Sequence, residues 1–208
     1  MMRRSLRRWS YFGIVPHERL AKGEKFMYKK LCEIMTSQVF AALYSNFNDT
    51  TSFVYGKIIA VNEHHLLIYM ISPDGNFDGF LMKKVEDIFR IETGGQYFQK
   101  MSRLISEDAT AHISDIALRA DDIPSSLLTA SKAMQQVVAI EQMDSGINDV
   151  IGIVRDISDS CVAVSQIDEY GSADGISYIR ASDISQISYM SQDEQRIWRL
   201  WNSIQSGR

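Results

Sequence analysis

Two basic residues are the strongest candidates for contact with a phosphate backbone. Lys84 and Arg180 lie 96 residues apart, and the residues around them match each other at that spacing. A lysine or arginine held at such a place can neutralise one phosphate group. Lys83 and Lys100 add positive charge to the first half of the chain.

The charge of the chain argues against a broad nucleic-acid surface. The 208 residues carry a formal net charge of −4, and residues 1–26 alone carry +5, which leaves −9 for the remainder. Broad phosphate binding needs clustered Lys and Arg. We therefore expect nucleic acid to be a disfavoured partner.

Residues 1–26 have two interpretations. The segment Lys22-Gly23-Glu24 can be encoded by a sequence that contains a bacterial ribosome-binding site, at a suitable distance before the codon for Met27. Met27 would then be the native first residue. The alternative is a basic arm at residues 3–8 that contacts nucleic acid or anionic lipid. The intact mass of the native protein distinguishes the two.

The sequence contains no recognisable catalytic motif. It lacks Gly-x-Ser-x-Gly, a P-loop and Gly-x-Gly-x-x-Gly. Cys32 and Cys161 have Glu33 and Asp159 nearby, whereas a reactive thiolate needs electropositive surroundings. We expect buried thiols in a reducing compartment, with a disulfide between them as the alternative. The prediction is a protein without enzymatic activity, catalytic residues or cofactor.

Candidate metal ligands are a histidine pair and a repeated acidic turn. His64 and His65 are adjacent in a strand turn, so their side chains point to opposite faces. Residues 75–79 and 171–175 share the pattern Gly-x-x-Asp-Gly. The carboxylates near these segments are Asp74, Asp78, Asp168, Glu169 and Asp174. A calcium loop needs about six oxygen ligands at regular positions, so we predict hairpin turns and no metal site.

An internal repeat organises the chain. A shift of 96 residues brings Gly56 onto Gly152 and Gly75 onto Gly171, and the same shift matches two Asp-Gly pairs. These identities fall at turn glycines and apolar strand positions, where backbone geometry and packing restrict the residue type. We predict that residues 37–92 and 133–188 share one strand order.

Each copy has the same predicted elements. A helix comes first, at residues 27–35 and 124–134, because apolar residues recur there at helical spacing. Five strands rich in β-branched and aromatic residues follow. They cover residues 38–45, 53–61, 65–71, 79–83 and 88–92 in the first copy, and 136–142, 150–157, 161–167, 175–179 and 184–188 in the second.

A helix closes each copy. In the second copy, Ser191 and Glu194 form a capping-box pattern at its start. The aromatic and apolar residues of the two closing helices are Tyr97, Phe98, Met101, Trp198 and Trp201. Aromatic residues at helical spacing are more often core than a partner-binding stripe. We therefore expect them to pack against the adjacent barrel.

The second strand and the end of the fourth resemble the two motifs of the Sm-like (LSM) family. The first motif is an apolar strand with a glycine, here Gly56 and Gly152. The second is a basic residue followed by two isoleucines at fixed spacing, after Lys84 and Arg180. The glycine that follows the basic residue in that family is absent from both copies. The base-contacting asparagine of that family falls on Leu66 and Val162, which cannot make its contact.

The resemblance implies a fold and leaves RNA binding in doubt. We expect a mainly β protein with flanking helices, built from two tandem Sm-like or SH3-like five-stranded barrels. The expected division is a basic segment at 1–26, a first module at 27–105, a connector at 106–122 and a second module at 123–208.

The expected function is that of a non-enzymatic interaction or regulatory module. The resemblance implies a protein that acts by assembling with other chains or by presenting loops to partners. We therefore expect a protein partner or self-association in the cytoplasm. No apolar run approaches the ~20 residues of a membrane span, so no membrane is expected. The alternatives are nucleic-acid binding through Lys84 and Arg180, and an enzyme with an unrecognised site at the cleft between the barrels.

Overall fold

The computed structural model describes residues 22–106, 109 and 118–207. The first half contains α1 (Lys22–Ser37), β1 (Phe40–Tyr44), β2 (Val54–Val61), β3 (His65–Ile71), β4 (Phe77–Lys84), β5 (Arg90–Glu92) and α2 (Gln96–Leu104). The second half contains α3 (Ile123–Met134), β6 (Val137–Gln142), β7 (Val150–Ile157), β8 (Cys161–Ile167), β9 (Ala173–Arg180), β10 (Ile184–Tyr189) and α4 (Gln192–Gln205). The basic arm at 3–8 and most of the connector lie outside the described residues.

All ten strands belong to one antiparallel sheet, in the order β5-β1-β2-β3-β4-β10-β6-β7-β8-β9. The mainly β class with flanking helices is confirmed. Two closed five-stranded barrels are not seen, because the outer edge of β4 pairs with β10 instead of closing on its own half. The two halves therefore share one open sheet, which ends at β5 and β9.

The two halves have the same internal strand order, as predicted. The pairing of Gly56 with Met70 in β2 and β3 recurs as Gly152 with Gln166 in β7 and β8, a spacing of 96 residues. Both pairs of strands also carry a register shift at the equivalent point. The first strands follow a spacing of 97, because Ala41 lies 15 residues before its partner Gly56, whereas Val138 lies 14 residues before its partner Gly152.

The repeated strand glycines allow two backbones to approach closely. A Cβ at Gly56 would lie 2.1 Å from the carbonyl oxygen of Tyr69. At Gly152 it would lie 2.0 Å from the carbonyl oxygen of Ser165. Any side chain would push the neighbouring strand away, so glycine is required for this curvature of the sheet.

The helix predicted at the start of each half is confirmed in both halves. Helix α1 contacts β2, and Leu31 is fully buried there. Helix α3 has Asp122 as its N-cap, whose carboxylate accepts a 3.1 Å hydrogen bond from the backbone N–H of Ser125. Leu127 on α3 is also fully buried.

The closing helices α2 and α4 pack on equivalent turns. Gly75 has φ of +85°, and a Cβ there would lie 2.5 Å from the carbonyl oxygen of Leu104 on α2. Gly171 has φ of +84°, and a Cβ there would lie 2.6 Å from the Cβ of Leu200 on α4. The predicted capping box of α4 is present at Ser191 and Glu194.

One apolar core extends across the boundary between the halves. It contains Tyr69 and Phe80 from the first half together with Ile140 and Tyr189 from the second. Phe80 and Tyr189 stack with ring centroids 6.3 Å apart. A second, smaller core lies under α1. Because the larger core is shared, we expect the two halves to unfold together.

Candidate interaction surfaces

The two basic residues singled out in the sequence have different surroundings. Lys84 Nζ lies 3.3 Å from the carboxylate of Asp144 and 3.9 Å from that of Glu86, and its side chain is 21% exposed. Arg180 is 73% exposed and lies 3.4 Å from Asp183. Lys84 is therefore held between carboxylates, while Arg180 is at the surface with a single weak ion pair.

The structure does not bring these two basic residues together. Lys84 is the last residue of β4 and Arg180 is the last residue of β9. In the sheet, β9 is the fifth strand after β4. At ~4.8 Å for each strand, the two residues are separated by about 24 Å along the sheet. Leu66 and Val162, at the family's base-contacting positions, are buried in the core.

A polar cleft lies where the two halves meet. Lys83, Asp87, Glu141 and Asp144 line it, and its volume is about 420 Å³. Burial lowers the pKa of Lys83, although the neighbouring carboxylates oppose the change. Burial and the charge of Asp144 raise the pKa of Asp87 to about 6. These groups counterbalance one another across the joint, which fits a half-buried structural cluster.

The repeated Asp-Gly pairs lie within strands β4 and β9 and not in the turns before them, and the first pair contacts the other half. The carboxylate of Asp78 accepts a 3.0 Å hydrogen bond from the backbone N–H of Gln192, at the start of α4. Asp168 lies in the turn before β9 and accepts hydrogen bonds from the backbone N–H groups of Tyr170 and Ser172. Within the described residues, no group of three or more His, Cys, Asp or Glu side chains is placed to hold a metal ion.

The remaining candidate nucleophiles and bases are dispersed. Cys32 on α1 and Cys161 on β8 are free thiols. Burial raises the pKa of Cys32, which disfavours the reactive thiolate. His64 is exposed, while burial lowers the pKa of the half-buried His65 to about 4.

Among the closing-helix residues, Met101 is part of the core shared by the two halves, and Tyr97 and Phe98 pack against it. The ring of Tyr97 lies 5.0 Å from that of Phe53 and 5.3 Å from that of Tyr55. Trp198 Nε1 donates a 3.1 Å hydrogen bond to the carbonyl oxygen of Gln135.

Both ends of the sheet present open surfaces with exposed apolar residues. On β9, Ile176 and Tyr178 are 46% and 75% exposed. At the other end, a groove of about 570 Å³ runs beside β5 and α1, and Phe26, Ile34 and Phe89 are among its lining residues. The sequence predicted this strand at residues 175–179 but did not indicate that it is an open edge, because its alternating apolar residues look like those of any half-buried strand.

A cavity of about 530 Å³ lies under α4, at the boundary between the halves. It is lined by Phe77, Gln136 and Trp198, among others. The Gln136 Oε1 atom is buried without a hydrogen-bond partner. Glu194, which also lines this cavity, is buried, and its carboxylate accepts a 2.7 Å hydrogen bond from the backbone N–H of Ser191.

Comparison with known proteins adds no relative. No protein-family model, no curated protein and no solved structure matches the chain. No helix in the described ranges is long and apolar enough to cross a membrane.

Proposed function

We propose that this chain is a non-enzymatic interaction module that binds other β-strands along the two unpaired edges of its sheet. The observation that carries the proposal is β9. This eight-residue strand ends the sheet and exposes Ile176 and Tyr178. An exposed edge strand offers a row of unpaired N–H and C=O groups to any strand that can pair with it.

Strand β9 lacks the features by which proteins usually protect an edge. Its sequence, ADGISYIR, contains no proline and no lysine, and its charges lie near the ends at Asp174 and Arg180. Proline, central charges and short length are the common means of blocking unwanted pairing. A long apolar edge without them is suited to binding.

The opposite edge is short but has an apolar groove next to it. Strand β5 contains three residues, Arg90–Glu92. Phe89 and Ile91 line the groove beside it, together with residues of α1. A strand added to β5 could place an apolar side chain in this groove, which would give the pairing side-chain specificity.

The strand order of each half supports the Sm-like interpretation as part of this proposal. In that interpretation each half is a strongly bent five-stranded unit, and its two outer strands are its binding edges. The internal joint already uses one edge of each half, β4 and β10. Free thiols at Cys32 and Cys161 support a reducing compartment such as the cytoplasm.

Selection of peptides against the full chain tests the proposal. Random peptides of about eight residues, a common strand length, are displayed and selected for binding. Amide hydrogen exchange then shows where the selected peptides bind. We expect protection in β9 or β5, and loss of the β9 binders when Ile176→Lys and Tyr178→Lys are combined.

The control is Tyr170→Lys. Tyr170 is 72% exposed in the turn before β9, outside the strand. This variant should keep all the binders. Selection that yields no peptide bound at either edge would refute the proposed function.

A further inference from the structure

The cavity under α4 has an aromatic wall that is held in place. In the described part of the chain this cavity has a volume of about 530 Å³, which is within the range of about 300–1,000 Å³ typical of small-molecule sites. Phe77 and Trp198 belong to its lining. The indole N–H of Trp198 donates a 3.1 Å hydrogen bond to the carbonyl oxygen of Gln135, which fixes the indole ring. A planar ring can therefore enter the cavity against a preformed aromatic surface.

Gln136 brings an unused hydrogen-bond acceptor to the same cavity. Its side chain lines the cavity, and its Oε1 atom is buried with no hydrogen-bond partner among the described residues. An acceptor in this condition costs free energy until a donor reaches it. The terminal torsion of a glutamine side chain is soft, so a rotation turns this oxygen towards a donor inside the cavity. The complement that Gln136 lacks is an N–H group on a ligand.

The carboxylate of Glu194 is a second acceptor in this lining. Glu194 is only 4% exposed. Its Oε2 atom accepts hydrogen bonds from the backbone N–H of Ser191 at 2.7 Å and from Ser188 Oγ at 3.1 Å. These bonds hold the carboxylate in one orientation. Because a carboxylate has two oxygens and about four lone-pair sites, it can accept further hydrogen bonds from a ligand.

The equivalent place in the first half is filled by aromatic rings. Helices α2 and α4 correspond at the spacing of 96 residues, as their contacts with the equivalent turn glycines show. Phe98 takes the place of Glu194, and its ring lies 5.2 Å from that of Tyr55. Ser102 takes the place of Trp198. The polar cavity is therefore a feature of the second half and is not required by the repeated fold.

A positive charge lies on the α4 side of the cavity. Arg199 is part of the lining and is exposed to solvent. Its Nε donates a 3.2 Å hydrogen bond to the carbonyl oxygen of Gln195, one helical turn earlier. The terminal N–H groups of a guanidinium are well suited to a phosphate or carboxylate. The matching ligand has N–H donors on a planar ring and an anionic group outside it.

We propose that this cavity binds a mononucleotide, with its base against Trp198, the N–H donors of the base on Gln136 and Glu194, and its phosphate at Arg199. Guanine has two donors side by side on one edge, the N1–H and the N2 amino group, which meet two acceptors. Adenine offers one amino group beside an acceptor nitrogen on that edge. Guanosine monophosphate (GMP) should therefore bind more tightly than adenosine monophosphate (AMP). The cavity is separate from the sheet edges, so this inference does not depend on the proposed strand binding.

Isothermal titration calorimetry of the full chain with GMP, AMP and guanosine tests the site. GMP should bind saturably, and AMP should bind about tenfold more weakly because one hydrogen bond is lost. Gln136→Leu, which is similar in size, should weaken GMP binding by about tenfold for the same reason. Without ligand, this variant should unfold at the same temperature as the wild type or higher, since it removes an unpaired buried oxygen. Weak binding by Gln136→Leu is thereby distinguished from a failure to fold.

Arg199→Ala and Arg196→Ala form a matched pair of variants on α4. Arg196 is exposed, lies 2.6 Å from Asp193 and is not among the residues that line the cavity. Arg199→Ala should weaken GMP binding by about tenfold or more, because it removes a charge-assisted hydrogen bond to the phosphate. It should leave the binding of guanosine unchanged, because guanosine has no phosphate. Arg196→Ala is the control and should bind both molecules as the wild type does.

Four results would overturn the inference. They are a folded wild type that shows no saturable binding of GMP up to about 1 mM, GMP binding that Gln136→Leu leaves unchanged, equal affinities for GMP and AMP, and an effect of Arg199→Ala that guanosine shares in full. The peptide selection against the sheet edges has a separate readout, in β9 and β5. Failure of the nucleotide experiment would therefore reject this site and leave the proposed function standing.

Discussion

Replacing Gly79 or Gly175 by alanine separates two free-energy costs that glycine avoids on β4 and β9, that of a positive φ and that of a nearby backbone. Both residues have nearly the same positive φ, +86° and +87°. An alanine in a left-handed conformation costs about 1–2 kcal/mol, and both variants incur this cost. Only Gly79 faces another backbone, because a Cβ there would lie 2.4 Å from Ser191 N and 2.5 Å from Tyr189 O.

The overlap at Gly79 must be relieved by moving β10 and the start of α4. Overpacking of this kind typically costs about 1–3 kcal/mol. We therefore expect Gly79→Ala to lower the free energy of unfolding by about 2–5 kcal/mol and Gly175→Ala by about 1–2 kcal/mol. The difference between the two losses in free energy of unfolding measures the cost of fitting a Cβ at Gly79 against the backbone of Tyr189 and Ser191.

Urea unfolding followed by circular dichroism measures both variants. The samples should be dilute, so that association through β9 does not contribute to the apparent stability. Equal losses in the two variants, to within about 0.5 kcal/mol, would show that the joint tolerates a side chain at Gly79. A larger loss for Gly175→Ala would contradict the open space found in front of β9.

Three further predictions concern the helices, the basic residues and the buried carboxyl group. Leu31→Ala and Leu127→Ala should each lower the free energy of unfolding by about 2–5 kcal/mol, because both side chains are fully buried; a loss below about 0.5 kcal/mol is typical of an exposed site and would contradict this. Fluorescence anisotropy of residues 27–208 with U-rich and A-rich oligonucleotides should show no submicromolar binding at physiological salt, since these residues are acidic overall and Lys84 is paired with Asp144. Submicromolar binding that the double variant Lys84→Glu, Arg180→Glu abolishes would refute this prediction. The raised pKa of Asp87, about 6, means that the folded state holds its proton more tightly than the unfolded state, so this group lowers stability as the pH rises from about 4 to 6. Asp87→Asn should therefore gain stability over the wild type across that range in urea unfolding, and a difference that does not change with pH would contradict the assignment.

Local signals in the sequence were sufficient to predict most of the elements. The turn glycines and the 96-residue spacing predicted a repeated strand order, because a close backbone approach or a positive φ restricts the residue type at Gly56 and Gly75. The apolar periodicity predicted α1 and α3, and the capping-box pattern predicted the start of α4. These features depend on residues that are close in the chain or repeated within it.

The relation between the halves was predicted incorrectly. Two separate closed barrels were expected, whereas β4 pairs with β10 to give one open sheet. The residues at this joint, such as Phe80 and Tyr189, are ordinary apolar strand residues whose sequence does not specify the strand beside them. Pairing between distant strands depends on shape and register across the whole sheet.

The candidate site shows the same division between local and long-range determinants. The sequence by itself determined which residues could contact a phosphate, Lys84 and Arg180, and it determined that the two Asp-Gly pairs are equivalent. Only the tertiary structure decided that Gly79 is covered by the neighbouring half while Gly175 faces open space. It also decided that Lys84 is held by Asp144 and that Tyr178 is exposed. Exposure depends on what packs against a residue from elsewhere in the chain, and two copies of one motif can differ in this respect while their local sequences agree.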